Sequence, residues 1–235
     1  MSTPADPKTV WTAVDTYALS HSHPSSRPNT TALTQTLAAS RAAGLPDIAA
    51  SRAQAKFLAL FLRATSTTHA LEIGTLGGFT SIFLASENPQ LRITTVEISP
   101  ANAAVAKQNI ASAGLSDRIE VILGAGVDVL PQLKADVLAG KREKYGFVFI
   151  DADKQNNWNY FDVAADITVA KGVVVVDNVV RRGRVADGEA AKADDRIAGA
   201  REVIEKVGAD GRVDSVVLQT VGEKGYDGWL WAVVN

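Results

Sequence analysis

The chain has no cysteine among its 235 residues, which excludes disulfides, thiolate metal ligands and a cysteine nucleophile. It also has no excess of basic charge. Its 24 Lys and Arg face 26 Asp and Glu, a net charge of -2, so nucleic acid is not an expected partner. No apolar run approaches the roughly 18 residues of a membrane span. The opening Met1-Ser2-Thr3-Pro4-Ala5-Asp6-Pro7 lacks the basic and apolar regions of a signal peptide. These absences lead us to expect a soluble, cytoplasmic protein with no membrane partner. Missing as well is the Gly-x-Gly-x-x-Gly fingerprint of dinucleotide folds, because Leu76 stands two residues after Gly74. That argues against a nicotinamide-dependent oxidoreductase.

What is present suits one α/β domain: 46% of residues are apolar and 21% charged, enough to bury a substantial core. Three helices are expected first, over about Pro7–Leu19, Asn29–Ala43 and Ser51–Thr65. In the third, Phe57, Leu58, Leu60, Phe61 and Leu62 offer a broad apolar face. His21 and His23, in the Pro/Ser-rich link between the first two, read as solvated and not as metal ligands. From His69 onward strands and helices alternate, with strands over Ala70–Ile73, Ile93–Ile98, Ile119–Leu123, Phe147–Ile150 and Val173–Val176. A helix over Pro100–Ala113 is opened by Ser99 and closed by Gly114. Such alternation predicts a parallel sheet covered on both faces. After a helix over Arg196–Val207, the runs Val213–Leu218 and Gly228–Val234, joined by Gly222–Gly228, read as an antiparallel hairpin at the sheet edge. We expect residues 1–66 to form a helical cap on the core of residues 67–235, within one domain.

In open α/β sheets ligands bind beyond the carboxyl ends of the strands. The first strand ends in Glu72-Ile73-Gly74-Thr75-Leu76-Gly77-Gly78-Phe79-Thr80. Glycines there let backbone amides approach a ligand, and the helix that follows favours negative charge at its start. The second strand ends at Glu97, placed to accept hydrogen bonds from ribose hydroxyls. The third ends at Leu123-Gly124-Ala125-Gly126, whose small residues leave room for a flat ring. The fourth ends in Asp151-Ala152-Asp153-Lys154 and the fifth in Asp177-Asn178. Oxygen donors gathered at neighbouring strand ends suit a hard divalent cation: Asp151, Asp177 and Asn178 supply three and leave positions for water and substrate. Beside such a site Lys154 is a candidate general base.

Taken together, Leu71-Glu72-Ile73-Gly74, Asp151-Ala152-Asp153-Lys154, Asp177-Asn178 and Lys224-Gly225-Tyr226-Asp227-Gly228 resemble the cation-dependent class I O-methyltransferases that use S-adenosylmethionine (SAM). That family includes catechol and caffeoyl-coenzyme A O-methyltransferases, and the closest likeness is to its small bacterial and fungal members. The resemblance implies a Rossmann-like fold: a seven-stranded, mostly parallel sheet with an antiparallel edge hairpin and extra N-terminal helices. It implies Glu72, Gly74, Thr75, Thr80, Glu97, Gly126 and Asp153 at the SAM site. It implies Asp151, Asp177 and Asn178 on the cation (Mg²⁺ first, Mn²⁺ or Ca²⁺ as alternatives), Lys154 as base, and the segment Arg181–Gly188, Arg182 foremost, bordering the pocket of a catechol-type acceptor together with the N-terminal helices. It also implies a homodimer. Ala49 and Ala50 stand where plant members carry threonines, and Arg181 and Arg182 where they carry an aromatic residue and asparagine, which argues against a coenzyme A thioester as acceptor. The alternative to an enzyme is a catalytically silent SAM-binding protein.

Overall fold

The computed structural model describes residues 6–235. Helices α1 (Pro7–Ser22), α2 (Thr30–Ala42) and α3 (Arg52–Ala64) precede the sheet. Then follow β1 (His69–Ile73), α4 (Phe79–Glu87), β2 (Arg92–Glu97), α5 (Pro100–Ser112), β3 (Ile119–Leu123), α6 (Gly126–Leu138) and β4 (Tyr145–Ile150). The chain continues through α7 (Asn157–Ile167), β5 (Thr168–Asp177), α8 (Gly188–Ala193), α9 (Asp195–Gly208), β6 (Val213–Gly222) and β7 (Gly225–Val234). The strand order is β3-β2-β1-β4-β5-β7-β6. The pairs from β3 through β5 are parallel and those made by β7 antiparallel. This is the seven-stranded mixed sheet anticipated above. The chain winds outward from β1 in one direction, then returns to β4 on its other side, so a crevice opens between the β1 and β4 ends.

Alternation along the strands builds two cores. Leu71, Ile73, Val148, Ile150, Val174 and Val176 point to one face, packed with Phe161, Ala164 and Val203. Ala70, Phe147, Phe149, Val173 and Val175 point to the other, packed with Leu58, Leu62, Ile82 and Phe83. Near-continuous apolar strands are what burial on both faces requires. No helix among the described residues is long and apolar enough to cross a membrane.

Three local expectations are corrected. His23 is buried, not solvated: its ring packs 5.0 Å from that of Phe83, and Nδ1 lies 3.7 Å from Glu87 Oε1. Burial lowers its pKa, with help from the Lys56 charge. Glu87 also accepts from Lys56 Nζ at 2.8 Å and Asn29 Nδ2 at 3.0 Å, which ties the N-terminal helices to α4. Second, the apolar face of α3 is not wholly covered. Leu58 and Leu62 are buried, whereas Phe57 and Leu60 remain about half exposed. Third, β6 and β7 are longer than expected and run to the pair Gly222 and Gly225, leaving only Glu223 and Lys224 as the turn. Gly225, at φ 103°, makes that tight turn possible.

Candidate functional site

The turn after β1 is fixed by contacts that a side chain at Gly74 would destroy. Gly74 has φ 103°, and a Cβ there would fall 2.1 Å from the carbonyl oxygen of Asp151. The two strand ends are therefore pressed together, with Gly74 N–H donating to Val96 O at 2.9 Å and Asp151 N–H to Ile73 O at 2.8 Å. Glycine is needed here first for the neighbouring backbone. Beyond it, Leu76 takes a left-handed φ of 51° and donates its N–H to Glu97 Oε2 at 2.8 Å. Glu97 Oε1 accepts from Ser99 N–H at 2.9 Å, so one buried carboxylate holds both the β1 and β2 turns. Thr75 and Thr95 hydroxyls pair at 2.6 Å. Asn109 Nδ2 donates to Gly77 O at 2.8 Å and clamps the turn to α5.

A cavity of roughly 660 Å³ lies over these ends. Gly74, Thr75, Thr80, Glu97 and Gly126 line its β1–β2–β3 side, and Asp151, Asp153, Lys154 and Asn178 its β4–β5 side. Residues 45–50, between α2 and α3, form a further wall.

On the β4–β5 side Lys154 is buried, and its Nζ donates to Asp151 Oδ1 at 2.8 Å. The carbonyl of Lys154 abuts α9, where a Cβ at Gly199 would fall 2.1 Å from it. Asp177 is buried behind Asn178. Its Oδ1 accepts from Asn178 N–H at 2.6 Å and Asn178 Nδ2 at 3.2 Å. Burial, reinforced by the charge of Asp151, raises the pKa of Asp177 above the ordinary carboxylate range. Asn178 itself sits at φ 60°, a conformation asparagine tolerates better than most residues. Asp153 accepts from Tyr160 Oη and Asn156 Nδ2, each at 2.5 Å. Burial and this bond to Asp153 raise the pKa of the Tyr160 phenol, so it remains a donor.

These residues surround one cleft at the switch point of a Rossmann-like sheet, and a sequence model of the O-methyltransferase family matches residues 22–225. The chain belongs to the O-methyltransferase family. It is 52% identical over 225 residues to the O-methyltransferase imqG of Aspergillus flavus, covering 96% of this chain and 91% of that one. It is 45% identical over 206 residues to a catechol O-methyltransferase of Mycobacterium tuberculosis, covering 87% and 89%. A crystal structure of the O-methyltransferase from Bacillus cereus in complex with SAH superposes with a TM-score of 0.87 at 40% identity, over 97% of this chain and all of that one. The family decides against the nicotinamide oxidoreductase and the silent binding protein.

The structure of this O-methyltransferase departs from the sequence expectations at three places. Glu72 does not line the cavity. It is buried behind the turn, where Ser81 Oγ and Thr95 Oγ1 donate to Oε2 at 2.5 and 2.7 Å. Burial pushes its pKa up to about 7. Arg182 is exposed outside the cleft, while its neighbour Arg181 lines it. Both have left-handed backbone, and nothing in a run of paired arginines tells which one turns inward. Asp177 is buried behind Asn178 and does not itself line the cavity; Gly126 lines it as expected and also admits Tyr160, since a Cβ there would fall 2.7 Å from that ring. Tyr160, Arg196 and residues 45–48 of the wall were missed, whereas Ala49 and Ala50 had been singled out. Tyr160 could have been found as the residue two helical turns beyond Asp153, whereas the other two depend on tertiary folding.

Proposed function

We propose that this O-methyltransferase transfers the methyl group of SAM to one hydroxyl of a catechol-type aromatic, with the help of a divalent cation. The observation that carries this reading is the convergence of Asp151, Asp177, Asn178 and Lys154 at the ends of β4 and β5. Relatives named catechol O-methyltransferase at 45% and 38% identity support the acceptor class. The SAH complex of the Bacillus cereus relative supports SAM as donor. Glu97 is suited to ribose hydroxyls because the Leu76 and Ser99 N–H groups fix its carboxylate at the cavity wall while leaving each oxygen with further acceptor capacity.

The donor set fits a hard cation. Among the described residues no three His, Cys, Asp or Glu side chains cluster; the donors here are two carboxylates and an amide, with Asp151 and Asn178 on the cavity wall and Asp177 buried behind Asn178. Asp177 is a buried acid whose charge Asp151 disfavours, an arrangement that a cation would relieve. Asp151, Asp177 and Asn178 would hold it. When bound, it would supply positive charge that lowers the cost of deprotonating an acceptor hydroxyl.

The remaining work falls to side chains. Lys154 Nζ sits beside Asp151 on the cavity wall, and in its neutral amine form it takes the acceptor proton and becomes the ammonium. The oxygen so formed bonds to the donor methyl carbon as the carbon–sulfur bond breaks, with the electron pair leaving on sulfur. The Gly74 turn and the cavity walls hold both reactants in line, the larger part of the acceleration in such a transfer. Incubation with SAM, Mg²⁺ and a panel of catechols should give products heavier by one methyl group less a hydrogen. A panel that yields no methylated catechol contradicts the acceptor class.

We also propose a symmetric homodimer built on the N-terminal helices or the C-terminal edge. Exposed Val10, Val14 and Tyr17 on α1, and Phe57 and Leu60 on α3, support it.

A further inference from the structure

Four carboxylates and four cationic side chains line the cavity, but they are not all paired with one another. Each of its four carboxylates is already engaged. Asp47 pairs with Lys224 at 2.7 Å and Asp151 with Lys154 at 2.8 Å. Glu97 accepts the N–H groups of Leu76 and Ser99. Asp153 accepts from Tyr160 and Asn156. Arg41, Arg181 and Arg196 line the same cavity, and none of the three guanidinium groups forms an ion pair among the described residues.

Arg181 is the most telling of the three. Its Nε is buried with no hydrogen-bond partner among the described residues, although a buried charged donor ordinarily finds one. The backbone at Arg181 is also held in place from behind. Asp227 Oδ1 accepts the N–H groups of Val180 and Arg181 at 3.1 and 2.9 Å. Gly183, at φ 83°, lets the chain turn against Tyr226. Arg181 lies three residues beyond Asn178, past the end of β5, which is two strands from the β1 that carries the Gly74 turn. Arg196 comes from the same side, one helical turn before the Gly199 that abuts Lys154.

We propose that Arg181, supported by Arg196, binds a carboxylate carried on the aromatic acceptor and makes this enzyme selective for acidic catechols. The inference rests on the catechol reading above. A carboxylate suits the geometry, because a guanidinium presents Nε and one Nη side by side to two oxygens. Arg181 thereby becomes a specificity-determining residue that orients the ring while Lys154 handles the proton.

The test compares protocatechuic acid with its uncharged methyl ester, using SAM and Mg²⁺, in wild type, R181Q, R181K and R182Q. Wild type should prefer the acid through a lower KM. R181Q should raise the KM for the acid by about ten- to a hundredfold, the range for one charged hydrogen bond, and abolish the preference with little change in kcat. R181K should keep part of the preference, and R182Q all of it. Equal use of acid and ester by wild type overturns the proposal, as does an R181Q defect equal on both, or loss of selectivity in R182Q in place of R181Q. Fluorine NMR with para-fluorobenzoate and para-fluorobenzamide gives a readout that needs no catechol. Binding of the benzoate alone, lost in R181Q, supports the proposal. No binding, or binding of both, overturns it. If neither protocatechuate nor its ester is methylated, the catechol reading fails, and the fluorobenzoate titration still decides the role of Arg181.

Discussion

Lys154 Nζ lies 2.8 Å from Asp151 Oδ1, and the lysine is buried while its partner stands on the wall of the cavity. A buried ammonium beside a carboxylate could be a plain structural ion pair or a base in waiting, and kinetics separate the two. Lys154→Met keeps the apolar stem and removes the amine. If Lys154 is the base, SAM affinity should persist while kcat on a weakly acidic catechol falls by about 10²–10⁴-fold. A nitro-substituted catechol, which needs less help, should lose less. A defect confined to KM would make Lys154 a binding residue only.

Gly74 and Glu97 face the same cavity, yet substitution should harm them differently. Gly74→Ala drives a Cβ onto the Asp151 carbonyl at 2.1 Å. Thermal or urea unfolding should therefore show a loss of about 2–4 kcal/mol. Glu97→Ala releases the Leu76 and Ser99 N–H groups, so calorimetry should show SAM affinity weakened by about tenfold or more. Unchanged stability in the first, or unchanged affinity in the second, would contradict this account of the turn.

Glu72 makes a pH-dependent contribution. Burial pushes its folded pKa up to about 7, above its ordinary value of 4.5. The folded state thus holds its proton where the unfolded state has lost it. The stabilising contribution is complete below about pH 4.5 and is lost as pH rises through 7. Glu72→Gln should flatten the fall in stability over that window, by up to about 3 kcal/mol. A variant with the slope of the wild type would show that Glu72 does not carry it.

The parallel strands, their order of chemistry-bearing ends and the edge hairpin were legible because each strand is a short apolar run closed by acid or glycine. Asp151, Lys154 and Asn178 could be placed in one cleft from topology alone. Glu72 could not be placed behind it, because a strand-end acid reads the same whether it faces ligand or the hydroxyls of Ser81 and Thr95. The direction of Arg181, the burial of His23 and the fit of Gly126 to Tyr160 all depend on partners 34 or more residues away or on a left-handed backbone. No local pattern in the sequence encodes such partners.

Assembly is the simplest of these proposals to test. Light scattering at micromolar concentration should give twice the chain mass of 24.8 kDa. Replacing Val14 and Tyr17 by serine should shift the population toward monomer if α1 contributes to the interface, and a wild-type mass of 24.8 kDa would refute the dimer.

Metal dependence is the central claim, and initial rate after chelation tests it most directly. Enzyme stripped with EDTA and supplied with SAM and a catechol it methylates should be inactive. Added Mg²⁺ should restore the rate, and in Asp177→Asn that recovery should require far more cation or fail. Full turnover in rigorously metal-free enzyme would contradict the account, and would leave Asp151, Asp177 and Asn178 as a structural cluster beneath the active site.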